Sequence, residues 1–161
     1  MVAQRNIITS MISKHISDKE GTYSRTALRL GINNKPNREQ LSNMIVLADE
    51  IFEPLRSYTN GPVKINSFFR SPELNKAIGG SSKSQHCNGQ AIDIDDTYGH
   101  LTNAEMFRFI REHLDFDQMI WEFGDNDNPN WVHVSYVSPK ANRKRCLKAY
   151  KHKGKTCYKE I

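Results

Sequence analysis

Two short stretches of this chain alternate apolar and polar residues with the two-residue period of a half-buried strand. They are Ala91-Ile92-Asp93-Ile94-Asp95 and Trp131-Val132-His133-Val134-Ser135. Successive strand side chains point to opposite faces. Ile92 and Ile94 therefore share one face and Asp93 takes the other; Val132, Val134 and Tyr136 share one face, and Trp131, His133 and Ser135 the other. The apolar faces call for a common core, so Asp93 and His133 project away from it, towards a cleft. A third run, Gln118-Met119-Ile120-Trp121-Glu122-Phe123, is joined to the His133 strand by Gly124–Asn130, a linker dense in turn residues, so the two runs form a hairpin. Pairing residue 123 with 131 places Glu122 on the face opposite His133. A one-residue bulge would bring the two together.

His86 stands seven residues before Asp93. Fully extended, that segment spans roughly 23 Å at ~3.3 Å per residue, so both side chains reach one point only if the chain reverses. Asn88-Gly89 is a suitable place. Two imidazoles, one carboxylate and an open fourth position are a way to hold a catalytic zinc ion, with ligand distances of about 2.0–2.2 Å. Alone, His133 reads as a satisfied structural histidine; the flanking residues carry the case.

With those residues included, the pattern resembles the M15 zinc peptidases, the group of D-alanyl-D-alanine carboxypeptidases and peptidoglycan endopeptidases. The block Ser-x-His-x₂-Gly-x-Ala-x-Asp runs unbroken from Ser84 to Asp93, and Trp-Val-His-Val-Ser from Trp131 to Ser135. Ile65–Asn75 resembles the family's arginine-bearing strand and following helix, and Ala77–Ser81 continues the match. Thr26–Asn34 resembles the N-terminal segment of a subgroup common in bacteriophages. The resemblance spans roughly residues 15–137. It implies one Zn²⁺ ion with His86, Asp93 and His133 as ligands. It also implies that Arg70 binds or polarises the substrate, and that Ser84 contacts it.

The resemblance breaks at Asn130. Several relatives carry an acid three positions before the last histidine, and an amide cannot exchange a proton near neutral pH. Glu122, which has a counterpart in the phage-like subgroup, is the expected acid/base. Asp125 and Asp127 are reserves, otherwise turn residues.

The implied reaction is hydrolysis of peptide bonds in peptidoglycan stem peptides, foremost by an endolysin-type endopeptidase cutting L-Ala–D-Glu. A D-Ala-D-Ala carboxypeptidase is the alternative within the family. A metal-binding module that has lost catalysis is the alternative outside it, because of Asn130. The basic C-terminus raises a nucleic-acid-binding reading, but no recognition motif accompanies it, and no nucleic acid is expected as a partner.

At 161 residues the chain suits one domain, read as a peptidase domain over 1–139 and a basic segment over 140–161. That last segment holds nine Lys and Arg against one acid, while the whole chain has net charge +5. Either its field steers the protein to an anionic envelope or it is a solvated terminus. A helix is expected over about 38–55, burying Leu41, Met44, Ile45, Ala48, Ile51, Phe52 and Leu55, with Asn37 and Gln40 as a capping box. A second is expected over about 103–114, opened by Thr102 and Glu105 and burying Met106, Phe107, Ile110 and Leu114. Ser71-Pro72 starts a further helix and Gly79-Gly80 stops it. Helices on one side of a small antiparallel sheet give an α+β fold, which the resemblance makes hedgehog/DD-peptidase-like.

Cys87, Cys146 and Cys157 have no metal spacing and fit a reducing compartment; Cys87 is expected to be a buried small residue. Asp95 and Asp96 end their strand or support the metal from behind. No stretch reaches the ~18 apolar residues of a membrane span. Met1–Ser10 lacks the apolar core of a secretory signal. The expectation is a monomer made in the cytoplasm that meets the cell wall after phage-type release, or as a virion part.

Overall fold

Alternation along the strands builds a six-stranded sheet whose two faces differ completely. The structure, a computed structural model, describes residues 10–161; the Met1–Ser10 stretch read above for a signal lies outside the described residues except for Ser10. A small ribbon, β1 (Met11–Ser13) and β2 (Ile16–Ser17), leads into α1 (Asp18–Thr22) and α2 (Arg25–Leu30). Next come α3 (Arg38–Leu47), α4 (Glu53–Thr59), β3 (Lys64–Ser67), α5 (Pro72–Ala77), β4 (Ala91–Asp95) and α6 (Asn103–His113). The chain continues with β5 (Gln118–Glu122), β6 (Trp131–Ser135), β7 (Arg145–His152) and β8 (Lys155–Glu160).

The sheet order is β3-β4-β6-β5-β7-β8. Every neighbour pair is antiparallel except β5 and β7, which run parallel, so the sheet is mixed rather than purely antiparallel. The connection through residues 136–144 makes this possible: β6 ends beside the start of β5, and the chain passes β5 at that end to begin β7 on its other side. Residues 145–160 are thus the last two strands of this sheet. Their Lys153-Gly154 turn, with φ of 49° and 75°, is a two-residue hairpin signal masked by the surrounding lysines.

One face of the sheet is covered. Ile92, Ile94, Val132, Val134, Met119, Trp121 and Cys146 point into a core completed by Met44, Leu47, Ile51, Leu55, Phe107 and Ile110. Both expected capping boxes form, at Asn37/Gln40 and Thr102/Glu105. The first long helix does not keep one continuous face. A π turn over Ala48–Phe52 precedes Pro54, which has no N–H to offer the preceding turn, and the Glu53 amide bonds instead to the Ala48 carbonyl. Leu47 is buried, and Ile45, about 100° round the helix from Met44, is 38% exposed, reversing the expectation for Ile45.

Candidate metal centre

Each side chain of the centre is held by a different local device. Asp93 and His133 face each other directly across the β4–β6 pair, one register step from the buried Ile94–Val132 pair. His86 comes from a 3₁₀ turn, Gln85–Asn88, closed by Gly89 at φ 71°. A Cβ at Gly89 would run into the Gln40 carbonyl, so the site requires glycine there. Helix α3 grips the same turn, as Gln40 Nε2 donates to the Cys87 carbonyl at 3.0 Å and Asn43 Nδ2 to the Asn88 carbonyl at 2.9 Å.

The ligand-capable atoms of His86, Asp93 and His133 all lie within 4.8 Å of one another. Asp93 Oδ1 sits 3.3 Å from His86 Nε2 and 2.9 Å from His133 Nδ1. Three corners of a tetrahedral zinc site are about 3.3–3.6 Å apart, so the Asp93–His86 distance matches and the Asp93–His133 distance is somewhat short. His86 supplies a sharper test. Its Nδ1–H donates to the Phe68 carbonyl at 2.7 Å, which turns the Nε2 lone pair inward. That Nε2 is buried and has no hydrogen-bond partner. An orphaned acceptor beside a carboxylate and a second imidazole is the donor set that a divalent cation satisfies. Burial also lowers the His86 pKa, keeping the ring neutral; the Asp93 carboxylate, 3.3 Å from Nε2, opposes this only in part. For Asp93, burial alone would favour the neutral acid, but His86 and His133 hold its carboxyl well below the usual carboxylate range.

Arg70 leaves the end of β3 and turns back over the centre. Its Nε donates to Ser67 Oγ at 2.9 Å and one terminal nitrogen to Asp93 Oδ2 at 3.1 Å. The expected helix start follows directly, with Ser71 capping the Leu74 amide at 3.1 Å. Arg70 is therefore anchored by the Asp93 carboxylate, not by a surface salt bridge.

Glu122 occupies the same face as His133, but not by a bulge. The register pairs Glu122 with Trp131 and Ile120 with His133. Simple pairing of 123 with 131 is thus one residue off. Phe123 and Gly124, both at positive φ (57° and 67°), leave the strand immediately after Glu122, which lengthens the loop to 123–130. The Glu122 side chain is 8% exposed. Burial pushes its pKa up to about 7; His133 and Arg70 pull it down a little, and Asp93 pushes it up further. Asp125 folds into an Asx turn instead, its Oδ1 accepting from the Asp127 and Asn128 amides at 2.8 and 2.9 Å. Neither Asp125 nor Asp127 lines the cleft, and neither does Asn130.

These side chains open into a cleft of about 810 Å³ whose lining includes Arg70, Ser84, His86, Asp93, Glu122 and His133. The family model described as Peptidase M15 matches residues 14–135, which include every one of them. The chain belongs to the M15 peptidase family. A comparison with curated proteins found no match. As an M15 peptidase it hydrolyses peptide bonds, and the group His86, Asp93 and His133 is where it could bind a metal.

Several parts of this M15 peptidase site escape a reading of the sequence. Gln85 Nε2 donates to Asp117 Oδ2 at 2.9 Å, and Asp117 also takes two bonds of 2.8 Å from the Arg143 guanidinium. Arg143 above all, with Gln85, holds the Asp117 pKa at about 2. This buttress fixes the turn that carries His86 to the start of β5. Cys87 is half-buried rather than buried, with its thiol pKa raised by burial. Asp95 and Asp96 bond to Asn103 and leave the metal-binding group alone, as strand-end residues. The far wall of the cleft comes from β7 and β8, through Arg145, Leu147, Lys151, Thr156 and Tyr158.

Proposed function

We propose that this M15 peptidase is a zinc-dependent hydrolase of peptidoglycan stem peptides, an endopeptidase of the phage-endolysin type that cuts L-Ala–D-Glu. The observation that carries it is the juxtaposition on one sheet face of three ligand-capable side chains and the buried Glu122 carboxyl, whose pKa stands at about 7. A general acid/base works best with a pKa near the operating pH, so Glu122 replaces the acid that Asn130 cannot supply.

His86, Asp93 and His133 would hold the ion, which when bound acts as a Lewis acid and lowers the pKa of water from 15.7 to about 7. Glu122 takes the proton of the attacking water and returns it to the leaving amine. Arg70, its guanidinium already fixed by Ser67 and Asp93, points its remaining N–H groups at the carbonyl oxygen as charge develops there. Such fixed donors do not have to reorganise during the reaction. Ser84, at the mouth of the 3₁₀ turn, contacts the peptide backbone.

The endopeptidase reading is supported by the cleft's volume, which lies near the upper end of the roughly 300–1,000 Å³ typical of ligand sites and takes several residues of peptide. It also rests on the phage-like Thr26–Asn34 segment. On this reading the enzyme is made in the cytoplasm and meets the wall after phage-type release or as part of a virion.

Incubating the zinc-loaded protein with purified peptidoglycan, beside a His133→Ala control, tests the proposal by mass spectrometry of the products. Stem peptides released from the glycan are expected. Loss of single D-Ala residues would make it a carboxypeptidase, the reading favoured if the cleft admits only a chain end. Zinc binding without any cleavage would identify an inactive metal-binding module.

A further inference from the structure

The β7–β8 hairpin lies C-terminal to the family match, yet it faces the reacting centre. The pairing register explains how. Asp93, His133, Ile120 and Leu147 form one continuous row across β4, β6, β5 and β7. The adjacent row runs Trp131, Glu122, Ala149, Tyr158. One more step along the hairpin pairs Lys151 with Thr156 on the same face. Substrate lying over Glu122 therefore meets this hairpin.

The chemistry of the wall is graded. Ile120, Leu147 and Ala149 form a small apolar cluster of their own, separate from the main core, with Phe123 packed against it. Phe123 leans on Trp131, with ring centroids 5.6 Å apart, and the Lys151 ammonium stands 5.4 Å above the Phe123 ring. Two cations line this part of the cleft. Arg145 is neutralised by Glu160 at 2.7 Å. Lys151 instead donates to the Thr156 hydroxyl at 2.8 Å and has no acidic partner among the described residues. Tyr158 is exposed at the edge of the cleft, in the same cross-strand row as Glu122 with Ala149 between them. The wall thus offers an apolar floor, then an uncompensated ammonium and a phenol.

We propose that this hairpin sets substrate specificity, with Ile120, Leu147 and Ala149 seating an apolar side chain while Lys151 and Tyr158 pair with a free carboxylate of an acidic peptide. The proposal rests on the peptidase reading above and names the substrate class it acts on. A stem peptide alternates small apolar and free-carboxylate groups, and an ammonium backed by an aromatic face and a hydroxyl is complementary to it. Lys151 and Tyr158 act by positioning the peptide; Glu122 does the chemistry.

Paired synthetic stem-type peptides test this, identical except that one carries a free carboxylate and the other a carboxamide at the acidic residue. Binding is read by calorimetry in full-length Glu122→Gln protein, so that turnover does not intervene, and cleavage is read in the zinc-loaded enzyme. The acid form should be preferred by about tenfold, as for one charge-assisted hydrogen bond. Lys151→Glu should abolish or invert that preference through KM rather than kcat, Lys151→Arg should restore it, and Tyr158→Phe should reduce it. An acid-to-amide ratio that is the same in wild type and Lys151→Glu overturns the proposal and leaves the peptidase reading intact. If the wild type cleaves neither peptide, the stem-peptide reading fails. In that case a binding preference lost in Lys151→Glu still upholds the hairpin's role, and equal or absent binding removes it as well.

Discussion

The two faces of the central sheet are built from the same strands and obey opposite rules. On the covered face, Ile92, Val134, Met119 and Cys146 meet across β4, β6, β5 and β7, and every one of them is apolar and buried. On the open face, one residue further along the same strands, Asp93, His133, Ile120 and Leu147 meet in the same order. Asp93 and Glu122 there are as inaccessible as many core residues, but they carry charge or a displaced pKa. The covered face stores the stability of the fold. The open face holds polar groups in surroundings that stability alone would not select, as expected where function is located.

That contrast makes separable predictions. The largest effect on the open face should come from Glu122→Gln, which on the proposed mechanism removes the proton carrier and should lower kcat by about 10²–10⁴-fold, while zinc binding, followed by calorimetry, persists. An enzyme that keeps its rate would move the acid/base elsewhere. The same substitution should alter stability with the opposite sign. The folded pKa of Glu122, about 7, lies above the ordinary 4.5 of the unfolded chain. Between those values the folded state binds more protons than the unfolded state, so the carboxyl costs stability as pH rises through that window. Metal-free Glu122→Gln should therefore gain on metal-free wild type from pH 4.5 to 7, by up to about 3 kcal/mol, then hold a constant lead. Urea unfolding at pH 5 and pH 8 reads this directly.

The matching change on the covered side is Phe107→Ala. Phe107 is buried between α6 and the sheet, edge-on to Trp121 with ring centroids 5.4 Å apart. Its loss should cost about 3–5 kcal/mol in denaturant unfolding, and kcat of the molecules still folded should stay near wild type. A large fall in kcat would mean that the two faces are not independent. Asp117→Asn is intermediate in kind, because the buttress touches no ligand atom. It should cost about 1–3 kcal/mol through the Arg143 bonds. It should also weaken zinc affinity by about 10–100-fold, as the turn bearing His86 loosens. Unchanged zinc affinity would reduce Asp117 to a purely structural residue.

The covered face was legible from sequence because burial writes a period. Ile92/Ile94 and Val132/Val134 announce two strands, and Met106, Phe107 and Ile110 announce α6. Asp93 and His133 were legible for the same reason, as polar residues at the complementary positions. The register that puts Glu122 beside them was not. It depends on Phe123 and Gly124 turning out of the strand at positive φ, and Phe is a residue from which no one expects φ 57°. The hairpin was hidden differently. In β7 and β8 most side chains are exposed, with lysines and an arginine spread among them, so alternation there carries little hydrophobic signal and the segment resembles a solvated tail. Ile45 failed because the buried face runs through Met44, Leu47 and Ala48, which leaves its neighbour at the edge of the helix's apolar stripe.

The parallel β5–β7 pair has a consequence for how the enzyme comes into being. Until residues 145–152 have been synthesised, β5 keeps one edge of unpaired amides and carbonyls, and the cleft lacks the strand that supplies Leu147 and Ala149. A chain that ends before β7 would therefore carry His86, Asp93, His133 and Glu122 but not the strand that completes the cleft. On the specificity reading proposed above, the wall that recognises the substrate is therefore the last part of the described cleft to be made.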